Sequence, residues 1–346
     1  MLTQPSYRSL RNPSVAIVGA TGAVGVELVK CLEARGFPAS SLRLLASARS
    51  AGRQIPYRGE AVSVDVLNAD SFVGVDLVFF AADADTSKTY APLAVTAGAV
   101  VIDNSSAFRM DLDCPLVTPE VNLETLVGHR GIIANPNCVA ILACVAIAPL
   151  QRRFGLRRLQ IATYQAASGA GQPAMEELAA STRAHLAGEA YPPQVLRHPY
   201  AFNLFSHDAE VDPQTGYNGE ELKVIAETRR ILGSFNLPIG VTCVRVPVLR
   251  AHSMALSLEL DAPVAPAAIT EVLAEAPGVR VVDDRDANHF PMPVEAQGQG
   301  DVLVGRIRRD LGDPSGRSVA LFLAGDQLLK GAALNAVQIA EQLLIA

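Results

Sequence analysis

Residues 14–19 (SVAIVG) form a short apolar, β-branched run that meets a glycine cluster, and 24–34 continue with apolar positions at helical spacing. The pattern predicts a strand, a turn and a helix. Apolar runs at 42–46, 75–81 and 99–102 alternate with helix-like stretches such as 87–97, the order expected of βαβ units on a parallel sheet. The first third is thus predicted to be a Rossmann-like, doubly wound α/β domain. The texture changes after the apolar run 138–150, which predicts a buried helix, being shorter than the roughly 18 residues a membrane span needs. Beyond it, runs at 159–166, 241–248, 255–260, 302–308 and 319–324 alternate in character and are separated by long segments. They predict an α+β domain on a larger, mixed, mainly antiparallel sheet. The interval 188–219 is rich in Pro, His, Asn and Tyr with little periodicity, and predicts a long structured loop. A C-terminal helix is predicted over 327–344; the pattern does not decide which domain it joins.

Length and composition narrow the class. At 346 residues the chain exceeds one hydrophobic core, so two domains are expected. Nearly half the residues are apolar and 18% are charged, which excludes disorder. A net charge of -6 argues against a nucleic-acid partner. The five cysteines are odd in number and scattered, without a Cys-x-x-Cys pair, so neither a disulfide framework nor a metal site is expected, and a reducing, cytoplasmic setting fits. The stretch 1–14 has no apolar h-region and reads as a short tail.

Gly19, Gly22 and Gly25 space a G-x-x-G-x-x-G turn between the first strand and its helix. Glycine there lets backbone amides approach a pyrophosphate at the helix start, although a tight strand-to-helix turn would use the same residues. A binder of NAD usually has an acidic residue about 20 positions further on, for the ribose 2′-hydroxyl. Here the second strand empties instead into Ser47, Ala48, Arg49 and Ser50, which suit a 2′-phosphate and so favour NADP; a solvated basic turn is the alternative.

Asn135-Pro136-Asn137-Cys138 follows an apolar strand and opens the apolar helix. At a helix start the dipole and the first amides favour thiolate over thiol, and those amides are expected to steady a developing oxyanion. A nicotinamide cofactor beside a cysteine nucleophile implies aldehyde oxidation through a thioester that an acyl acceptor releases. Of six histidines, His252 alone stands in the company of Arg245 and Arg250, between two predicted strands, which makes it the candidate acid/base.

These motifs, together with DNSSAFR at 103–109, TYQAASGAG at 163–171, EELK at 220–223, GRIR at 305–308 and LLKGAA at 328–333, resemble the aspartate-semialdehyde dehydrogenase family over essentially the whole chain beyond the tail. The resemblance implies a cofactor domain at 1–137, completed by the C-terminal helix 327–346, and a catalytic and dimerisation domain at 138–326. Cys138 would then be the thioester nucleophile, His252 the acid/base and Gln165 the residue that orients the substrate. Glu220 would meet the substrate ammonium, Arg245 its carboxylate, and Arg109, Lys223 and Asn137 the attacking phosphate. Gly19, Thr21, Gly22, Ala23, Val24 and Gly25 would hold the cofactor with Arg49 and Ser50, Ser168 and Gly169 would lie against its nicotinamide, and Gln327 would reach the cofactor. No metal is implied.

The implied reaction interconverts L-aspartate 4-semialdehyde, phosphate and NADP with L-aspartyl 4-phosphate and NADPH. It would serve lysine, threonine and methionine biosynthesis, in a homodimer, with a tetramer as the open alternative. Two further readings stand beside it: an N-acetyl-glutamyl-phosphate reductase-like enzyme, and a non-catalytic paralogue acting as a partner subunit. Between Gln165 and Lys223 no motif matches the family apart from the end of TYQAASGAG and EELK itself.

Overall fold

The computed structural model describes residues 10–344, so most of the tail expected at 1–14, and residues 345–346, lie outside the described residues. The chain divides into two units, one ending at Pro136 and resuming at Ala332, the other Asn137–Gly331.

In the first unit β1 (Ser14–Val18), α1 (Ala23–Ala34), β2 (Ser41–Ala46), β3 (Gln54–Tyr57), β4 (Glu60–Val66), β5 (Leu77–Phe80), α2 (Ala84–Thr96), β6 (Val100–Asp103), α3 (Pro119–Asn122) and β7 (Ile132–Ala134) follow in order. The sheet runs β3-β4-β2-β1-β5-β6-β7, parallel except for the β3–β4 hairpin. Its central strands are covered on both faces, which is why β5 is buried at all four positions and reads as an unbroken apolar run. Ala16, Val18, Val78, Phe80 and Val101 pack into one core with Phe72, Ala91 and Ala94.

The second unit contains α4 (Cys138–Phe154), β8 (Arg158–Gln165), α5 (Gln172–Leu186), β9 (Phe205–Ser206), α6 (Gly219–Ile231), β10 (Ile239–Arg245), β11 (His252–Glu259), α7 (Pro266–Ala274), β12 (Val279–Val281), α8 (Pro293–Ala296), β13 (Val302–Arg309) and β14 (Ser318–Gly325). Its sheet runs β12-β13-β14-β11-β8-β10-β9; β8–β10 and β12–β13 are parallel and the other pairs antiparallel. Like the first sheet it has seven strands, but most of them are longer, four reaching eight residues, as the expected larger sheet requires. One face packs against α4, α6 and α7 through Val139, Leu142, Val224, Ile269 and Leu273. Gln160, Ala162 and Tyr164 of β8 point to the other face, where the Tyr164 and Phe322 rings lie 6.0 Å apart.

Two expectations change. The segment 188–219 is irregular except for Gly219, which opens α6, and β9, an edge strand too short to show a period. The helix expected over 327–344 is not continuous: a π-helical turn at Leu329–Ala333 precedes α9 (Leu334–Glu341). Asp326 is the cause, since its side chain accepts from Leu328 N and Leu329 N and its carbonyl takes Gly331 N at 3.1 Å, five residues on. In the first unit α9 is tied to α1 by the Arg35–Glu341 ion pair at 2.6 Å.

Candidate active site

The turn after β1 is built for close backbone approach. Gly19 has φ +80°, and a Cβ there would lie 2.3 Å from Ala81 O; a Cβ at Gly25 would lie 2.2 Å from Gly19 O. Gly22 caps α1 without a side-chain hydrogen bond, and the first turn, which includes Ala23 and Val24, holds no acidic residue. A dinucleotide pyrophosphate suits such a bare helix start. After β2, the turn Ala48–Ser50 returns Ser50 to the glycine loop, where Thr21 Oγ1 donates to Ser50 Oγ at 3.2 Å, while Arg49 stays exposed.

Arg109, also in this unit, is not an ordinary surface charge. Its half-buried guanidinium donates from Nε to Asn135 O at 3.0 Å and from Nη2 to Asn104 O at 2.7 Å.

In the second unit Asn137 caps α4, and half-buried Cys138 is its first residue. Asn137 Oδ1 accepts from Val139 N at 2.9 Å and Ala140 N at 3.3 Å. These two amides are thus committed to the cap, which corrects the expectation that they face an oxyanion. The cap is held in turn: Asn137 N donates to buried Glu227 at 2.5 Å, and Asn137 Nδ2 to Glu220 Oε1 at 2.9 Å. Gly331 lets its turn approach Cys138, because a Cβ there would lie 3.0 Å from Cys138 Cβ. All five cysteines are free thiols; burial pushes Cys243 up to about 12 and Cys144 higher still, which disfavours the thiolate of those two.

Glu220 and Gln165 are both buried, and Gln165 Nε2 donates to Glu220 Oε1 at 3.3 Å. Burial pushes the Glu220 carboxyl up, but His207, the Asn137 hydrogen bond, Lys223 and Arg245 outweigh it and hold it below its ordinary value. Lys223, one turn along α6, is exposed.

His252 is fully buried at the start of β11, and Nδ1 accepts from Ala166 N at 3.0 Å. Its Nε2 and Arg245 Nη1 are buried with no hydrogen-bond partner among the described residues. Both face one point, since a Cβ at Gly169 would lie 3.1 Å from each. Glycine therefore leaves open a small space onto which two donors converge. The residue before His252, Ala251, adopts φ 74°, a strained conformation for a non-glycine residue. Gln327 holds it there: its Oε1 accepts Ala251 N at 3.0 Å, and its Nε2 donates to Ser168 Oγ. The Gln327 amide is thus engaged inside its own unit.

Sequence reasoning missed Glu227, His207 and Asp208. Glu227 lies mid-helix in α6, where a carboxylate ordinarily faces solvent. The other two follow the undetected β9, although the polar character of 188–219 did flag the region. Among the described residues no cluster of metal-ligating side chains occurs, and no helix is long and apolar enough to cross a membrane.

Comparison with known proteins shows the family. Residues 14–129 match the family described as semialdehyde dehydrogenase, NAD binding domain, and residues 147–330 the semialdehyde dehydrogenase, dimerisation domain. The chain is 50% identical over 330 residues to an aspartate-semialdehyde dehydrogenase of Synechocystis sp., covering 95% of this chain and 97% of that one. It is 44% identical over 341 residues to the enzyme of that name from Bacillus subtilis, covering 96% and 98%. Among solved structures, aspartate semialdehyde dehydrogenase II from Vibrio cholerae superposes with a TM-score of 0.91 at 39% identity, covering 96% of this chain and 98% of that one. The same enzyme complexed with ASA gives 0.91 at 38%, with the same coverage.

Proposed function

Because this chain belongs to the aspartate-semialdehyde dehydrogenase family, we propose that it interconverts L-aspartate 4-semialdehyde and L-aspartyl 4-phosphate, with phosphate and NADP as co-reactants and an acyl thioester on Cys138 between them. The observation that carries this reading is the company Cys138 keeps within one unit. A buried carboxylate, Glu220, reaches the cap of its helix, and a buried guanidinium, Arg245, keeps one donor unpartnered among the described residues. A small aldehyde bearing both an ammonium and a carboxylate needs those two groups.

At the first position of α4, Cys138 has the helix dipole favouring its thiolate, which adds to the aldehyde carbon. Gln165, fixed by Thr163 and Glu220, orients the substrate beside it. With Nδ1 occupied by Ala166 N–H, His252 presents Nε2–H and donates to the carbonyl oxygen as it gains negative charge. Bound NADP supplies the hydride acceptor in this direction and the donor in the reverse. Phosphate then displaces the Cys138 thiolate from the thioester, forming the acyl phosphate, and we assign its recognition to Arg109, Lys223 and Asn137.

We assign cofactor binding to residues 1–137 with the C-terminal helix, and catalysis to 138–326. Gly19, Thr21, Gly22, Ala23, Val24 and Gly25 cradle the cofactor, and Arg49 with Ser50 takes the 2′-phosphate that distinguishes NADP from NAD. The roles of Ser168 and Gly169 beside the nicotinamide belong to the same proposal, with Gln327 acting through the Ser168 contact. The chain carries a dimerisation domain. We propose a homodimer through the open sheet face around Tyr164 and Phe322, working in the cytoplasm in the biosynthetic direction toward lysine, threonine and methionine.

The test is an assay of NADPH formation with aspartate semialdehyde, with and without phosphate, and with N-acetyl-glutamate semialdehyde in its place. Phosphate-dependent turnover of the first substrate, abolished by Cys138→Ser, is expected. Turnover that ignores phosphate, that prefers the acetylated substrate, or that survives the Cys138 change overturns the reading.

A further inference from the structure

The edge strand β9 delivers a residue to Arg245 that no sequence pattern singles out. In its antiparallel pairing with β10, Arg245 stands opposite Phe205, and His207 N donates to Cys243 O at 2.9 Å. The chain then places Asp208 against the guanidinium, where Arg245 Nε and Nη2 both donate to Asp208 Oδ1 at 3.3 Å. Arg245 is 4% exposed, whereas the Asp208 side chain keeps 26% of its surface in solvent. One edge of the guanidinium is thus taken, and Nη1, on the opposite side, is the donor left beside Gly169 and His252. Burial works against ionisation of Asp208, but Arg245, backbone hydrogen bonding and His207 outweigh it and hold the carboxyl below its ordinary value.

We propose that Asp208 is a positioning and selectivity residue: it fixes Arg245 by the Nε–Nη2 edge, so that a substrate carboxylate is met through Nη1, and its charge keeps inorganic phosphate out of that place. This rests on the reading that Arg245 receives the substrate carboxylate and that phosphate is the second substrate. A guanidinium by itself takes carboxylate and phosphate alike, often through two parallel hydrogen bonds. Two substrates carrying the same kind of charged oxygens therefore compete for it. An aspartate on one edge removes a bidentate geometry and makes the pair nearly neutral. A monoanionic carboxylate tolerates that environment, while phosphate, more highly charged near neutral pH, is repelled in a poorly solvated space. Phosphate is then left for the position from which it attacks the acyl carbon on Cys138.

The test is steady-state kinetics of the full chain, with phosphate varied at several fixed semialdehyde concentrations. Asp208→Asn keeps the shape and removes the charge; phosphate should become a competitive inhibitor against the semialdehyde, with an inhibition constant about tenfold lower than in the unmodified enzyme. Asp208→Glu, which keeps the charge, should hold phosphate inhibition at the unmodified level, and Asp208→Ser repeats the charge removal should the Asn variant not fold. An unchanged phosphate inhibition constant in the uncharged variants overturns the proposal. So does a loss of turnover that is equal in the Asn and Glu variants, which marks a merely structural role. Arg245→Lys separates the underlying reading: if it leaves KM for the semialdehyde unchanged, it is the carboxylate assignment of Arg245 that fails.

Discussion

His252 Nδ1 accepts a hydrogen bond from the backbone N–H of Ala166 at 3.0 Å, and that contact decides which proton the ring carries. An amide N–H only donates, so the neutral imidazole must hold its proton on Nε2. Burial, followed by the charges of Arg245 and His207, keeps the ring well below its ordinary pKa. The histidine that sequence offers as an acid/base is thus poised as a neutral hydrogen-bond donor toward the space beside Gly169.

The first expectation concerns pH. In nitrogen-detected spectra, one histidine ring should remain neutral with its proton on Nε2 from pH 7 down through about 6.5, the ordinary histidine value. Since its folded-state pKa lies below the unfolded one, the unfolded chain binds the extra proton first. The His252 contribution is therefore intact above about pH 6.5 and declines as the pH falls below it. Denaturant unfolding of the native chain and of His252→Gln across pH 5–8, roughly spanning that value, measures this. A native-minus-variant stability difference that grows on acidification would contradict it.

Gly169→Ala probes the convergence of donors. The new Cβ would sit 3.0 Å from His252 Cε1 and 3.1 Å from Arg245 Nη1, within the space assigned to substrate. Turnover with the semialdehyde should fall about 100-fold, by misplacement of the reacting groups. The thermal midpoint should shift by only a few degrees. Activity within threefold of the native enzyme would mean that this space is not where substrate binds.

Cofactor choice is read at Arg49, exposed on the turn after β2. Replacement by Ala removes a cation suited to a 2′-phosphate and leaves nothing buried behind. KM for NADP should rise about tenfold while KM for NAD stays level. Equal effects on both cofactors would detach Arg49 from that phosphate.

For the open sheet face, Tyr164→Glu places a charge beside Phe322, where the native rings stand 6.0 Å apart. Sedimentation velocity should show a shift from dimer to monomer, because an unpaired charge in an apolar interface is strongly disfavoured. A dimer of native strength in this variant would place the interface elsewhere.

The strands of both sheets were legible wherever they lie in a core. Runs such as 75–81 and 319–324 coincide with β5 and β14 to within two residues, since burial on one or both faces leaves a hydrophobic period behind. β3, β9 and β12 left none, and in β4 the alternation of Val62, Val64 and Val66 with polar residues was not singled out. They are short, peripheral or half exposed, and edge pairing makes little demand on side-chain type.

What the sequence determined by itself is local. Gly19 turns the chain with φ +80°, a Cβ at Gly25 would lie 2.2 Å from Gly19 O, and Asn137 before Cys138 carries its own capping chemistry. Tertiary structure alone decided the rest: that Val139 N and Ala140 N are spent on the cap, that Glu227 holds Asn137 from 90 positions away, and that Asp208 occupies one edge of Arg245. The physical reason is the range of the interaction. A backbone clash or a cap acts between neighbours and constrains residue type in a readable order, whereas a buried hydrogen bond between distant segments has no spacing to betray it until the sheet brings its partners together.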